Sequence, residues 1–429
     1  MLSVHTCPLA TLGGKETGGI NVYVRDLARE FSRRGIYVDV FTRSQNAHLP
    51  HVMHKLGTRG RVVHVPAGPE APYDKNKVFD YLPEFTEGVL RFARDEGIDY
   101  DVIHSHYWLS GWVARELRAL WGAPIVHMSH TLGLMKNQVA GSPAEMETRR
   151  RIDVETDIVG FADRLIAATP AESAQLAWLY GARPDRIAVI PPGVDTRHFF
   201  PMAQQAARDH IGAPHDNWMI LFVGRIERLK GVETLIRAIA LLAHECPSWV
   251  ERMCVAIIGG DPTTNENVEM ERLKAMREQL GLNDLITFLG ARDQDQLQYY
   301  YNAASFVVMP SRYESFGMVA LEAMACGRAV IASEVGGLAY LVRDGETGFH
   351  VPDGDPVALA MAIARLLQDE ALRERLGRQA AAWAHNYAWP RVADQLLDVF
   401  EAEQRTALPA LARARNPTAE IAHLPHAAA

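Results

Sequence analysis

The sequence has few cysteines, no long apolar run and no excess of positive charge. Its 4 cysteines form no CxxC pair and its 17 histidines form no HExxH motif, so we expect free thiols in a reducing compartment and no metal site. No apolar stretch approaches the roughly 20 residues of a membrane span. The net charge of -8 argues against general nucleic-acid binding, because phosphate backbones are held mainly by excess Lys and Arg.

Three familiar signals are also missing. The first five residues lack the basic region and long apolar stretch of a secretory signal, so we expect the protein to be cytoplasmic. Gly13-Gly14-Lys15 does not match the Walker pattern GxxxxGK[ST]. No GxGxxG follows the first strand, which disfavours a dehydrogenase.

The hydrophobic pattern predicts an α/β protein. A chain of 429 residues exceeds what one core usually supports, so we expect two domains. Short β-branched runs alternate with helical patterns in both halves, which predicts two Rossmann-like domains whose parallel sheets face a central cleft. The predicted strands are 38–41, 62–65, 102–104, 125–127, 165–168 and 187–190, then 219–223, 255–258, 286–289, 306–309 and 329–332.

A linker divides the chain near residue 200, where Pro191-Pro192-Gly193 precedes a polar stretch. We expect an N-terminal domain over 1–200, a C-terminal domain over 201–388, a helix over 389–404, and a partly disordered tail over 405–429. Open parallel sheets bind ligands at the carboxyl ends of their strands, so functional residues are expected in the loops that follow strands.

The sharpest motif of the second half is a pair of glutamates, Glu314 and Glu322, with Ser315, Phe316, Gly317 and Met318 between them. A helix is expected to begin near Gly317. Its first turn carries unpaired amides and about half a positive charge, which can hold a diphosphate. Glu314 is placed to accept from sugar hydroxyls and Glu322 from ribose hydroxyls. The alternative is a pair of solvated surface glutamates.

Two cations, Arg225 and Lys230, follow the strand 219–223. They can neutralise the charge of a departing nucleotide diphosphate without a metal, although a surface role is the alternative. Arg292 is a weaker candidate after the strand 286–289. Gly259-Gly260 predicts either a close backbone approach to a ligand or a plain turn.

In the first half, Gly18 and Gly19 open a helix. Glycine there lets substrate oxygens approach the helix amides, and Asn21 is placed to hydrogen-bond a phosphate. A tight turn without a ligand is the alternative. His130 lies at the end of a strand, where a sugar hydroxyl can reach it.

Other polar residues of this half carry weaker signals. For His104 and His106 a packing role is favoured over catalysis. The run Arg149-Arg150-Arg151 is typical of a solvated helix face, although one member can turn inward to pair with a phosphate.

Together these residues resemble family 4 of the retaining glycosyltransferases of GT-B fold, over nearly the whole chain to about Glu403. Within that family they look most like the inositol-phosphate N-acetylglucosaminyltransferases of mycothiol synthesis, with sucrose-phosphate synthases second. Both groups use phosphorylated acceptors. The segments that carry this likeness are 5–9, 18–23, 104–111, 130–132 and 150–152.

The resemblance implies front-face transfer, with retention, of a sugar from a UDP-linked or similar donor to a small phosphorylated polyol or sugar such as inositol phosphate. Transfer of glucose to fructose 6-phosphate is the alternative. A catalytically silent protein that binds sugar nucleotides is an alternative of another class. No cofactor is required beyond the nucleotide sugar as co-substrate, the partners are small molecules, and a homodimer is left open.

The resemblance also implies roles for individual residues and packs the helix 389–404 back on the first domain. The catalytic residues would be His130, Arg225, Lys230 and Glu314. The donor would contact Gly18, Gly19, Arg225, Lys230, Arg292, Glu314, Ser315, Phe316, Gly317, Met318 and Glu322. The acceptor would contact His5, Asn21, Lys75, Tyr107, Thr131 and Arg151.

Overall fold

The computed structural model describes residues 1–10, 18–260 and 268–415. Gly13-Gly14-Lys15 and the part of the predicted tail beyond Arg415 lie outside these ranges. Within them the chain forms two α/β halves, which confirms the predicted fold class.

Strands and helices alternate in the N-terminal half, and most strands are parallel. The strand order is β1-β3-β2 in one group and β4-β5-β6-β7 in the other, with only β2 antiparallel to its neighbour. The elements are α1 (Gly19–Arg33), β1 (Val38–Arg43), β2 (Val52–Met53), β3 (Gly60–Val65), α2 (Lys75–Val78), α3 (Leu82–Glu96), β4 (Ile103–His106), α4 (Tyr107–Trp121), β5 (Ile125–Met128), α5 (Gly133–Gln138), α6 (Arg149–Phe161), β6 (Arg164–Ala167), α7 (Pro170–Tyr180) and β7 (Ile187–Val189).

The first residues of the chain join the two strand groups. Leu2 bridges Phe41 of β1 on one side and Ser105 of β4 on the other. The Leu2 amide donates to the His104 carbonyl at 2.9 Å, and the His106 amide donates to the Leu2 carbonyl at 3.0 Å. The short segment therefore places the loop after Val4 at the same sheet edge as the loops after β4 and β5.

The C-terminal half is built on a six-stranded parallel sheet of order β10-β9-β8-β11-β12-β13. Strands lie at each of the predicted positions, and β13 is an addition. The elements are α8 (Gln204–Ile211), β8 (Trp218–Val223), α9 (Val232–Glu245), β9 (Met253–Ile258), α10 (Val268–Gln279), β10 (Ile286–Gly290), α11 (Gln294–Ala303), β11 (Phe306–Met309), α12 (Met318–Ala325), β12 (Val330–Ser333), α13 (Gly336–Leu341), β13 (Gly348–Val351), α14 (Pro356–Gln368), α15 (Glu370–Ala384) and α16 (Trp389–Arg415).

The last helix, α16, lies against the N-terminal half. Its Phe400 ring is 5.7 Å from Phe31 of α1, and Glu403 pairs with Arg164 at 2.7 Å. The helix extends to Arg415 and is longer than the predicted 389–404. None of the helices in the described part of the chain combines the length and apolar character of a membrane span.

Candidate active site

The cation turn after β8 lies against the loop after β11. Lys230 ends a short 3-10 turn (Arg228–Lys230), and its ammonium group pairs with the carboxylate of Glu314. Gly231 follows with a φ of +67°, and a Cβ there would lie 1.8 Å from the Pro310 carbonyl oxygen. Only glycine allows this approach, so the backbone itself brings Lys230 to Glu314.

The loop that carries Glu314 is held by the start of α13. The Gly337 amide donates to the Glu314 carbonyl at 2.8 Å. A Cβ on Gly337 would lie 2.5 Å from the Ser315 carbonyl and 2.2 Å from the Phe316 Cα. The Phe316 side chain is buried and packs 5.8 Å from the ring of Tyr387. The Phe316 ring therefore belongs to the core, and what this loop offers a ligand is its backbone.

Two helix N-termini face each other across the cleft. Gly317 precedes α12 with a φ of +105°. A Cβ on Gly19, at the start of α1, would lie 3.3 Å from Met318, and one on Gly18 would lie 4.0 Å from Arg225. The first-turn amides of a helix lack partners within the helix, and the partial positive charges of the two helices add there. The arrangement suits an anionic group such as a diphosphate.

Arg225 and Arg292 differ in their surroundings. Arg225 forms an ion pair with Glu227 at 2.7 Å and lies next to Gly18. Arg292 donates to the Tyr300 hydroxyl at 3.1 Å and to the Ala291 carbonyl, rather than joining Arg225. It lines a cavity of 630 Å³ with residues of α8 and α11. The structure thus brings Arg225 to the cleft and Arg292 to a neighbouring cavity.

Glu322 is a buried carboxylate on α12. It accepts from the Tyr301 hydroxyl at 2.7 Å and from the Gln294 amide at 3.2 Å. Burial raises its pKa to about 7 against the effect of these hydrogen bonds. Gln294 also accepts from Arg25 of α1. None of these three partners was predicted: Gln294 and Tyr301 reach Glu322 through the packing of α11 against α12, and Arg25 reaches Gln294 from the other half of the chain.

On the opposite side of the cleft, the structure brings together most of the predicted acceptor residues. The Arg151 guanidinium is fully buried and donates to the Tyr107 hydroxyl at 3.0 Å and to the Thr131 hydroxyl at 3.1 Å. The His5 ring packs 4.4 Å from that of Tyr107. Of the three consecutive arginines, Arg151 is thus the one that turns inward, while the Arg149 side chain is 87% exposed.

A carboxylate that sequence reasoning missed lies among these residues. Glu147, one residue before the N-cap of α6, pairs with Arg151 at 2.9 Å, with Lys75 at 3.7 Å and with Lys136 of α5. Burial opposes its ionisation, but the three cations lower the pKa of Glu147 to about 2. Lys136 was also missed. No periodicity or motif marks either residue, because both act through contacts between distant segments.

Asn21 differs from its predicted role. Its amide donates to the Thr6 hydroxyl at 2.6 Å and to the Cys7 carbonyl at 2.7 Å, and its carbonyl accepts from the Gly18 amide at 2.9 Å. It is 1% exposed. In this structure Asn21 therefore fixes the loop after Val4 to the start of α1 rather than facing a phosphate.

His130 has an unusual backbone. Its φ is +58°, and one ring nitrogen lies 3.0 Å from Nδ1 of His106. Its ring meets that of Tyr23 edge-on at 5.0 Å. Burial lowers the pKa of His130 to about 3, so its ring is neutral near pH 7. A neutral imidazole held in this way can exchange hydrogen bonds with a sugar hydroxyl.

Gly259 corrects one hypothesis. A Cβ there would lie 1.8 Å from the Gly224 carbonyl oxygen, so the close backbone approach is to the chain itself.

No cluster of three or more His, Cys, Asp or Glu in the described ranges is arranged to hold a metal ion.

Comparison with known families covers both halves of the chain. The family model described as "Glycosyltransferase Family 4" matches residues 17–198, and the one described as "Glycosyl transferases group 1" matches residues 203–383.

Curated relatives align over nearly the full length. The D-inositol 3-phosphate glycosyltransferase of Acidothermus cellulolyticus is 44% identical over 95% of this chain and 91% of the relative. Its counterpart from Thermomonospora curvata is 40% identical over 94% of this chain and 95% of the relative.

Solved structures share the fold. Sucrose-phosphate synthase from Thermosynechococcus elongatus superposes with a TM-score of 0.85 at 37% identity, covering 94% of this chain and 97% of the other. Anabaena HepE in complex with UDP-glucose superposes with a TM-score of 0.72 at 21% identity over 94% and 98%. The second likeness shows the fold alone.

Proposed function

This chain belongs to the family 4 glycosyltransferases, and on that basis we propose that it transfers a sugar from a UDP-linked donor to inositol phosphate, with retention of configuration. The enzyme class follows from its relatives, whereas the donor and acceptor are our proposal. The observation that carries the acceptor class is the cation cluster of Lys75, Lys136 and Arg151 beside Tyr107. Arginine and lysine together suit a phosphate dianion.

The donor diphosphate would lie between the N-termini of α1 and α12. There the helix amides and the cations Arg225 and Lys230 meet the charge that develops as the diphosphate departs. Lys230 reaches this position already paired with Glu314. A hydroxyl of the donor sugar would donate a hydrogen bond to one of the two carboxylate oxygens of Glu314. Glu322 would face the ribose.

We propose a front-face reaction. The acceptor hydroxyl attacks the anomeric carbon from the side of the leaving phosphate, the bond from that carbon to the phosphate oxygen breaks, and the phosphate oxygen takes the proton. His130, neutral because burial lowers its pKa, would hold a donor hydroxyl rather than act as the base. The main contributions are then the alignment of two substrates and the neutralisation of the leaving group.

Fructose 6-phosphate is a second candidate acceptor. The likeness to sucrose-phosphate synthase, with a TM-score of 0.85, favours it. Both acceptors carry a phosphate that the same cations would hold, so the cluster does not separate them. The distinction depends on the sugar or polyol ring rather than on the charge.

A substrate matrix tests the proposal. UDP- and GDP-sugars are combined with inositol phosphate, fructose 6-phosphate and free inositol, and products are read by mass spectrometry while UDP release is followed. We expect product only with a phosphorylated acceptor. Activity confined to neutral acceptors would refute the acceptor class. UDP binding without acceptor-dependent release would instead indicate a silent sugar-nucleotide-binding protein.

Two arginines of α6 provide a matched pair of variants. Arg151→Lys keeps the charge but loses the forked contacts to Tyr107 and Thr131, so we expect the KM for the phosphorylated acceptor to rise by about tenfold or more. Arg149→Lys alters a side chain that is 87% exposed on the same helix and should leave it unchanged. Equal effects of the two variants would contradict the proposed phosphate site.

A further inference from the structure

The anion-binding cluster of the acceptor side is already occupied by a carboxylate of the chain. One oxygen of Glu147 contacts Arg151 at 2.9 Å, Lys75 at 3.7 Å and Lys136. The Glu147 side chain is 6% exposed. Three cations from three separate segments thus converge on one oxygen atom, which is the arrangement that a phosphate oxygen would adopt.

A second carboxylate, Glu155, also pairs with Arg151, at 2.7 Å, but its contacts are of another kind. Its other oxygen accepts from the Gly133 amide at 2.9 Å and from the Tyr180 hydroxyl. Glu155 is thereby built into the packing of α6 against α5 and α7. It orients Arg151 from behind and has backbone and hydroxyl donors that no ligand would replace.

Among the described residues, the Glu147 oxygen contacts the three cations and no backbone amide or hydroxyl donor. The residue lies in the connection before α6, where its own amide donates to Asn137 at 2.7 Å. That bond anchors the backbone and leaves the side-chain torsions able to change. Of the two carboxylates, Glu147 is therefore the one that can leave while the cations stay in place.

Charge balance points the same way. Lys75, Lys136 and Arg151 carry three positive charges, and Glu155 compensates one of them. If Glu147 stayed while a phosphate bound, two anions would share one desolvated site, which costs free energy. In the absence of a ligand the three cations lower the pKa of Glu147 to about 2, so near pH 7 its carboxylate is charged and competes as an anion.

We propose that Glu147 is an internal competitor of the acceptor phosphate: its carboxylate fills the subsite of Lys75, Lys136 and Arg151 and moves out when a phosphorylated acceptor binds. This inference rests on the proposed acceptor class. Until a dianion arrives, Glu147 keeps the cluster compensated and closed to weaker ligands. A neutral polyol cannot displace it, so the same residue sets the preference for phosphorylated acceptors.

The affinity of the cluster for phosphate follows from this competition. The apparent dissociation constant is the intrinsic one divided by the fraction of molecules in which the subsite is vacant. If Glu147 leaves it vacant in about a tenth of the molecules, its removal strengthens binding about tenfold. Glu147→Gln keeps the size and hydrogen bonds of the side chain but removes the charge that competes.

The test measures inorganic phosphate binding by calorimetry to the full chain, for the wild type and three variants. Glu147→Gln should bind phosphate about tenfold or more tightly than the wild type. Glu145→Gln is the control, since that carboxylate lies two residues earlier with a side chain 32% exposed, and should bind within twofold of the wild type. Glu155→Gln should bind phosphate more weakly, because Arg151 loses its support.

Unchanged or weaker phosphate binding by Glu147→Gln would overturn the inference, because it would make Glu147 a structural partner like Glu155. Thermal unfolding with added phosphate gives an independent readout that does not depend on turnover. We expect a larger phosphate-dependent rise in Tm for Glu147→Gln than for the wild type. A rise no larger than that of the wild type counts against the inference.

Failure of the inference is distinguishable from failure of the proposed function. If Glu147→Gln binds phosphate more tightly but neither protein transfers sugar to a phosphorylated acceptor, the competition stands and the acceptor class fails. If transfer to inositol phosphate is observed and Glu147→Gln shows no gain in phosphate affinity, the acceptor class stands and the competition fails.

Discussion

Replacing Lys230 by alanine tests the electrostatic role of the cleft. The ammonium group pairs with Glu314, and the two side chains are 18% and 13% exposed. If Lys230 neutralises the departing diphosphate, its loss should reduce turnover by about 10²-fold or more, the scale seen when one preorganised partner of a developing charge is removed. That factor corresponds to about 2.7 kcal/mol of transition-state stabilisation.

The same substitution also affects folding, and the two effects need separating. Removing Lys230 leaves the Glu314 carboxylate largely buried without this cation, which we expect to cost roughly 1–3 kcal/mol. A domain with a typical stability of about 5–15 kcal/mol stays folded after such a loss. Turnover is therefore measured as UDP release at saturating donor and acceptor, at a temperature well below the Tm of the variant.

Arg237→Ala is the matched control. Arg237 is 52% exposed on the helix that follows the cation turn and pairs with Glu233 at 2.9 Å. Exposed pairs of this kind contribute only about 0.2–1 kcal/mol, and turnover should stay within twofold of the wild type. A folded Lys230→Ala protein with turnover within about threefold of the wild type at saturating donor would refute the leaving-group role.

Three further predictions concern stability. Gly231→Ala should lower the free energy of unfolding by roughly 4 kcal/mol or more, because its Cβ would lie 1.8 Å from the Pro310 carbonyl oxygen. Gly212→Ala is the control: its φ is +68° and its Cβ would have nothing within 4 Å, so this variant should lose about 1–2 kcal/mol. Both values are measured by urea titration. Burial raises the pKa of Glu172 to about 7. The folded protein therefore loses stability as the pH rises towards 7 and the buried carboxyl group ionises. Between pH 5 and pH 8 the free energy of unfolding of Glu172→Gln should rise by up to roughly 3 kcal/mol relative to that of the wild type. Phe400→Ala, which removes the ring through which α16 contacts α1, should lower the free energy of unfolding by about 2 kcal/mol, since that ring is only partly buried.

The fold was largely predictable because β-branched runs and helical stripes alternate so regularly. The strand Gly348–Val351 was not predicted, because Gly348 and His350 interrupt the apolar pattern. Its pairing with the strand Val330–Ser333 makes it extended. The strand Val52–Met53 has only two residues and exists through antiparallel pairing. Tertiary pairing, not local preference, determines both.

The candidate site was predictable in part, for a similar reason. Glu314 and Lys230 belong to motifs that follow strands, and the parallel sheet brings such loops to one edge. Glu147 lies in the connection before α6 and Lys136 lies inside α5, and neither carries a motif, so their meeting with Arg151 depends on how these two segments fold over α6. For Asn21 the residue was visible in the sequence, but its internal contacts were not.

The cations of the cleft share one property that explains how an acidic chain can bind anionic substrates. Lys230 pairs with Glu314, Arg225 with Glu227, and Arg151 with both Glu147 and Glu155. Each positive group is thus held in position by a carboxylate before any ligand arrives, which limits the repulsion between neighbouring cations and fixes their side chains. At the acceptor subsite the proposed binding of phosphate would exchange Glu147 for another anion, whereas Glu155 is fixed by its backbone and hydroxyl donors. The net charge of -8 is therefore compatible with the proposed anion binding, because the local cations of the cleft, and not the overall charge, would hold the ligand.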